Sequence, residues 1–159
     1  MKIDILCVGK VKEAEVRGMI AEYSKRLSKY CKLEILEVAD EKTPDGASPK
    51  VEDEIRKKEG ERLLKLVKEQ AYVVALAIDG DMYNSEQLAA RLERLGVEGV
   101  SHIQLIIGGS LGLHESVLAR ADHKLSFSKL TFPHQLMRVI LLEQIYRSYR
   151  IISKEPYHK

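Results

Sequence analysis

The 159-residue sequence has only two cysteines, Cys7 and Cys31, and no tryptophan. Two cysteines cannot form a cysteine-based zinc site by themselves, and the five histidines show no paired ligand spacing, so we expect no metal. No window approaches the roughly 20 apolar residues of a membrane-spanning helix, and the N-terminal residues lack the pattern of a secretory signal. These absences predict a cytoplasmic protein with reduced thiols and no membrane partner.

A strong net charge is also missing, because 26 basic side chains are balanced by 24 acidic ones and the formal charge is +2. This balance excludes the uniformly basic surface of a protein that coats nucleic acid non-specifically. The basic excess is local instead, since residues 135–159 carry five basic and two acidic side chains. An RNA partner would therefore have to be recognised by a local basic surface or by its shape.

The apolar pattern predicts one domain, residues 1–159, in which strands alternate with helices. Apolar runs and alternating segments predict strands at 3–8, 32–38, 72–78, 103–107 and 125–127. Helical spacing is found at 13–29, 50–69, 86–95, 115–120 and 135–152. We expect Asp79-Gly80 to end the third strand. This order of elements predicts an α/β fold with a mostly parallel sheet flanked by helices.

A glycine-rich segment, Gly108-Gly109-Ser110-Leu111-Gly112, follows the apolar strand at 103–107. Glycines at this place let the backbone turn sharply and approach a ligand closely, and ligands of open α/β sheets bind beyond the carboxyl ends of strands. The segment matches neither the dinucleotide-binding glycine pattern nor a P-loop, so a phosphate cradle is poorly supported. Its spacing alone is consistent with either a ligand site or a simple tight turn.

The segment Ser126–His134 is a polar loop that contains both phenylalanines of the chain. Pro133 suits the start of a helix, which places His134 near the first turn. In one interpretation the loop caps that helix, with Thr131 or His134 satisfying backbone donors. In the other, its backbone grips a ligand while His134 faces a substrate.

The helix predicted at 135–152 is apolar around most of its circumference, so either its own chain or a second subunit covers it. Glu143 and Arg147 are spaced to pair along its polar edge. The chain ends in Tyr157-His158-Lys159, which combines a group that stacks on bases, a group that exchanges protons and a phosphate ligand. Chain termini are usually frayed and inert, so both an inert and a functional tail are consistent with the pattern.

Seven motifs are distributed along the chain: Met1-Lys2-Ile3, Val8-Gly9-Lys10, Gly108-Gly109-Ser110-x-Gly112, Leu125 to His134, Arg138-Val139, Glu143-Gln144-x-Tyr146-Arg147 and Pro156-Tyr157-His158-Lys159. Together they resemble the ribosomal RNA large subunit methyltransferase H family from end to end, whereas residues 40–99 match mainly in pattern. The resemblance implies a SPOUT fold with a trefoil knot, a homodimer, and S-adenosyl-methionine as methyl donor. It also implies methylation of N3 of a pseudouridine in 23S rRNA.

The resemblance carries roles to individual positions. The S-adenosyl-methionine pocket would be formed by Leu76, Gly108, Phe127, Ser128, Lys129, Leu130, Thr131 and Phe132. The candidates for catalysis come instead from the basic C-terminal segment and the loop that precedes it: His134 and His158 as proton acceptors, Arg138 as electrostatic partner and Tyr157 as a positioning or base-stacking group. The candidates for RNA binding are Arg147, Arg150 and Lys159.

The near-zero net charge predicts that the substrate is 23S rRNA in the assembled ribosome rather than naked RNA. Two alternatives remain at this level. One is a SPOUT methyltransferase that acts on another RNA such as tRNA, which the absence of an appended RNA-binding domain disfavours. The other is a ligand-binding, ribosome-associated module without enzymatic activity.

Overall fold

The structure, a computed structural model, describes all 159 residues and contains one five-stranded sheet. The strands are β1 Lys2–Val8, β2 Lys32–Val38, β3 Tyr72–Met82, β4 His102–Ile107 and β5 His123–Ser126. All of the pairings are parallel, and the order across the sheet is β2-β1-β4-β3-β5. The helices are α1 Ala14–Leu27, α2 Pro49–Leu66, α3 Ser85–Val97, α4 Glu115–Arg120 and α5 His134–Ile152. The predicted α/β fold with a parallel sheet is confirmed.

Helices cover both faces of the sheet. Successive side chains of a strand point to opposite faces, so a strand that is apolar throughout needs helices on both faces to bury its side chains. Ile3, Ile5 and Cys7 of β1 belong to a core cluster that also contains buried residues of α1, α3 and α5. Leu6 and Val8 of the same strand belong to a second cluster, shared with α2 and α4. The central strands therefore consist almost entirely of apolar residues, as the sequence pattern predicted.

The third strand differs from its prediction, because β3 continues through Asp79-Gly80 to Met82. Its pairing with β5 is interrupted after Leu76 and resumes at Asp81, so residues 77–80 form a bulge. A Cβ atom at Gly80 would lie 2.7 Å from the backbone carbonyl of Lys124. Glycine therefore extends the strand by permitting close contact with β5, and does not end it.

The apolar circumference of α5 is largely explained within one chain. α1 and α3 pack along α5, and the helix also contacts β4. Val139, Leu141, Leu142 and Ile145 are buried, whereas Leu136 is exposed. The chain's own core thus covers most of the apolar surface of α5 that a second subunit could have covered. The homodimer stays a prediction.

After β5 the chain returns from the edge of the sheet through residues 127–133 and begins α5. This return runs beside the glycine-rich segment 108–112, and the two segments line one cavity. The knot implied by the resemblance concerns how these two segments thread past each other, and it too stays a prediction. None of the helices combines the length and the apolar composition of a membrane-spanning segment.

Candidate active site

A cavity of about 640 Å³ opens at the carboxyl ends of β3, β4 and β5. Ligand sites of open parallel sheets lie at this edge, and the volume is within the roughly 300–1,000 Å³ of small-molecule sites. The walls are formed by the β3 bulge, the glycine-rich segment 108–112, the loop that follows β5 and the first turn of α5. Three segments that are remote in sequence thus form one predominantly apolar pocket.

Seven of the eight residues predicted to bind the cofactor line this cavity: Leu76, Gly108, Phe127, Ser128, Leu130, Thr131 and Phe132. Lys129 is exposed and is not among the lining residues. The cavity also includes Ile78 and Met137, which the sequence pattern did not assign to it. Met137 could have been found, because it lies one helical turn after His134.

The glycine-rich segment forms a tight, closed turn. The backbone N–H of Gly112 donates to the carbonyl oxygen of Gly109 at 3.0 Å. A Cβ atom at Gly108 would lie 2.7 Å from the carbonyl carbon of Gly112, which is closer than Cβ atoms approach such groups in proteins. The absence of a side chain therefore lets two backbone segments meet and form one wall of the cavity.

Helix α2 supports this turn from behind. Arg56 donates to the carbonyl oxygen of Leu111 at 3.5 Å, and the buried Glu59 lies against Gly109. One carboxylate oxygen of Glu59 accepts a hydrogen bond from the backbone of Glu41 at 3.0 Å, while burial raises the pKa of this carboxyl group. The helical spacing at 50–69 did not indicate this buried acid.

His134 is the first residue of α5 and lines the cavity. Burial, and then the positive charge of Arg138, lower the pKa of His134 below its ordinary value of 6.5, while Asp40 acts in the opposite direction. The imidazole is therefore neutral at neutral pH and can accept a proton. It is also the only titratable side chain among the residues that line this cavity.

Arg138 lies one turn further along α5 and is only 2% exposed. Its guanidinium donates to the carboxylate of Glu37 at 2.6 Å and to the carbonyl oxygens of Val8 and Gly9 at 3.1 and 2.8 Å. It does not line the cavity. The structure thus places this predicted electrostatic partner beneath the site, where it fixes the first turns of α5 against the end of β1.

We expect Glu37→Ala to destabilise the protein by about 3 kcal/mol, because it leaves the buried guanidinium of Arg138 without a counter-charge. Arg138→Met should cost less, since the side chain of Glu37 is 35% exposed and can turn to water. Urea unfolding of the two variants and of the double variant measures the difference. An equal or smaller loss of stability in Glu37→Ala would contradict this account of the pair.

The C-terminal tail, residues 153–159, folds back onto α5. Arg150 pairs with Glu155 and donates to the carbonyl oxygen of Pro156 at 2.9 Å. Arg147 pairs with Glu143, as predicted, and its guanidinium lies over the ring of Tyr157, 4.8 Å from the centroid. The structure therefore engages both arginines in holding the tail.

The other tail residues differ in their surroundings. The hydroxyl of Tyr157 donates to Glu143 at 3.1 Å, and burial followed by the charge of Glu143 raises the pKa of Tyr157 to about 12. This phenol is therefore a hydrogen-bond donor and not a base at neutral pH. His158 contacts Arg147 and Glu86, whereas Lys159 is exposed. The RNA-binding roles of Arg147, Arg150 and Lys159 stay predictions.

A second cavity, of about 440 Å³, lies beside the first. The two cavities share Leu125, Ser126, Phe127 and Phe132. The second is also lined by Glu86 and by His158 of the tail. His134 and His158 thus lie in adjacent cavities, and the two phenylalanines border both. No group of three or more histidine, cysteine or acidic side chains is arranged to hold a metal ion.

Comparison with known proteins agrees with this geometry. A family model described as "Predicted SPOUT methyltransferase" matches residues 1–158. Relatives named "Ribosomal RNA large subunit methyltransferase H" from Bifidobacterium adolescentis and Clostridium novyi are 65% and 62% identical, and each match covers the whole of both chains. A solved structure of a probable methylase family protein from Haemophilus influenzae Rd KW20 has a similar fold, with a TM-score of 0.56 at 11% identity over 99% of this chain and 70% of that one. The chain belongs to the SPOUT methyltransferase family.

Proposed function

We propose that this protein transfers a methyl group from S-adenosyl-methionine to N3 of a pseudouridine in 23S rRNA. The observation that carries the proposal is the adjacency of the two cavities: a largely apolar pocket with one neutral histidine lies beside a cavity lined in part by His158 of the tail. Relatives that match the full length and bear the ribosomal methyltransferase name support the RNA class.

The lining of the first cavity fits the proposed cofactor. Leu76, Ile78 and Leu130 offer apolar surface to an adenine, and the backbone of residues 108–112 offers hydrogen-bonding groups beside it. The absence of a side chain at Gly108 lets its backbone approach that of Gly112 and shapes this wall. When bound there, S-adenosyl-methionine supplies an electrophilic methyl group.

The residues of this chain then have two tasks, to align the nucleophile and to accept its proton. The attacking ring nitrogen carries a proton that must leave, and His134 is neutral, half-buried and inside the cofactor cavity. The two ring nitrogens of His158 are engaged by Arg147 and Glu86 while the tail is docked. We therefore propose that His134 accepts the proton and that the tail positions the nucleobase of the substrate.

We expect His134→Ala to lower the rate of methyl transfer by roughly 10²–10⁴-fold, the usual contribution of a general base. Protonation removes the acceptor, and the pKa of His134 is lowered, so the wild-type rate should stay constant above the ordinary histidine value of 6.5 and fall only in more acidic solution. This fall of the rate in acidic solution should be absent in the variant. Rate–pH profiles of both proteins test it, and undiminished turnover by His134→Ala would remove this residue from the mechanism.

We further propose that the substrate is the assembled ribosome, in the cytoplasm. The chain has little net charge, and three of the five basic side chains of residues 135–159 are already paired with acids. Within this segment only Lys154 and Lys159 are thus free for naked RNA, so we propose that recognition depends on the shape of a folded surface.

A methyl-transfer assay with labelled S-adenosyl-methionine on ribosomes, free 23S rRNA and tRNA tests the function and the substrate together. Ribosomes should be methylated most, and mass mapping should locate the methyl group on one pseudouridine. Equal methylation of free 23S rRNA would contradict the ribosomal substrate. Labelling of tRNA instead would support the other RNA target, and the absence of cofactor binding in calorimetry would support a non-enzymatic module.

The homodimer implied by the family resemblance is part of the same proposal. Ile78 and Leu130 line the first cavity and are nevertheless 54% and 70% exposed. A second subunit would shield such apolar side chains from water. Light scattering at assay concentrations should give the mass of two 18.1-kDa chains, and the mass of one chain would reject the dimer.

A further inference from the structure

The imidazole of His158 lies between two charged groups from different helices. Nδ1 is 3.1 Å from Nη1 of Arg147 on α5, and Nε2 is 3.0 Å from Oε1 of Glu86 in the first turn of α3. The guanidinium can only donate hydrogen bonds, and an ionised carboxylate can only accept them. Both contacts are satisfied together only when Nδ1 accepts and Nε2 carries the hydrogen.

We propose that Glu86 and Arg147 are positioning residues that hold His158 as this single tautomer, with its ring fixed at the second cavity. The proposal deepens the proposed function, since it rests on the participation of the tail in methyl transfer. Glu86 does not belong to any of the sequence motifs, and only its contact across the fold reveals it. The proposal also separates the two histidines, because the fixed His158 orients the substrate base and leaves His134 to take the proton.

The ionisation of Glu86 agrees with this assignment. A hydrogen bond from its own backbone N–H, and then the contact with His158, lower the pKa of Glu86 below the ordinary glutamate value. The carboxylate is therefore charged at neutral pH and accepts the Nε2 hydrogen. Glu143 balances the charge of Arg147.

Independent contacts set the distance between the two positioning residues. Ser85, next to Glu86, donates to the side chain of Gln144 at 2.9 Å, and Gln144 donates to Glu143 at 2.9 Å. The start of α3 is itself fixed by the reciprocal capping contacts of Asn84 and Gln87. These contacts hold the start of α3 against α5 without any residue of the tail.

Nitrogen NMR of the full-length protein labelled at histidine tests the proposal. Wild type should show a protected N–H signal from Nε2 of His158, identified by its loss in His158→Gln. Glu86→Ala should abolish the protected signal, because water replaces the acceptor, whereas Glu86→Gln should retain it through the amide oxygen. Glu93→Ala, which changes another exposed glutamate of α3, should leave the signal unchanged.

Kinetics supply the second readout. Glu86→Ala should lower kcat about threefold to tenfold, the effect of one lost hydrogen bond, with an unchanged KM for S-adenosyl-methionine and with recovery in Glu86→Gln. The inference is overturned if wild type lacks the protected Nε2 signal, if the signal persists in Glu86→Ala, or if Glu86→Gln loses it. Absence of methyl transfer by wild type would instead reject the proposed function, and the NMR result would still decide the tautomer.

Discussion

Replacing Gly108 with alanine is expected to weaken S-adenosyl-methionine binding roughly 10- to 100-fold, the effect of forcing an extra carbon into a packed site. The new Cβ atom would lie 2.7 Å from the carbonyl carbon of Gly112 and 2.9 Å from its oxygen. Both contacts are with backbone, so no side chain can rotate away. The turn would have to open, and the wall that it forms in the cavity would move. Calorimetric titration with S-adenosyl-methionine measures the loss.

Gly18→Ala is a matched control for this substitution. Gly18 lies in α1, and a Cβ atom there would meet nothing within 4 Å. Alanine favours the helix by up to about 1 kcal/mol over glycine, so this variant should be as stable as wild type or more stable, and should bind normally. Wild-type affinity in Gly108→Ala would show that the glycine-rich turn is not part of the cofactor site.

Deleting residues 157–159 is expected to lower methyl transfer on ribosomes by at least ~100-fold, since misplacing a substrate by about 1 Å can cost that much. The deletion removes Tyr157 and His158, which dock on Glu143, Arg147 and Glu86 beside the second cavity. Cofactor affinity should change little, because no tail residue lines the first cavity. Labelled-methyl assays and calorimetry on the same preparation measure both quantities.

Lys159→Ala separates the docked part of the tail from its exposed end. Lys159 is exposed, and its removal should mainly weaken ribosome binding and reduce the dependence of that binding on salt. Full activity of the protein lacking residues 157–159 would reject a role for the tail. Loss of cofactor binding in that protein would contradict the division into a cofactor loop and a substrate tail.

Local patterns predicted most of the fold. The strands and helices agree with the structure in type and order, because apolar periodicity reports directly which faces are buried. The β3 bulge is the exception. Asp79-Gly80 has the composition of a turn, yet Gly80 packs against Lys124 of a strand that the local pattern could not pair with it.

Local patterns likewise predicted some residues of the candidate site and missed others. Residues 127–134 form one continuous motif that directly follows a strand, so the location of all of them except Lys129 at the cavity could be predicted. The surroundings of Arg138 could not be predicted, because its partner Glu37 is 101 residues away in the chain. Glu86 is likewise 72 residues from His158. Nothing in the spacing of a single sequence marks two such positions as neighbours.

The sequence by itself determined the parallel α/β architecture, the two loops that could contact a ligand and the basic C-terminal segment, because each depends on residues close together in the chain. Only the tertiary structure decided what these residues do. It engages Arg147 and Arg150 in holding the tail, buries Arg138 beneath the site and leaves His134 as the titratable group of the first cavity. The physical reason is that burial and ion pairing depend on which distant segments meet, and these two factors set both the pKa of a side chain and its freedom to contact a substrate.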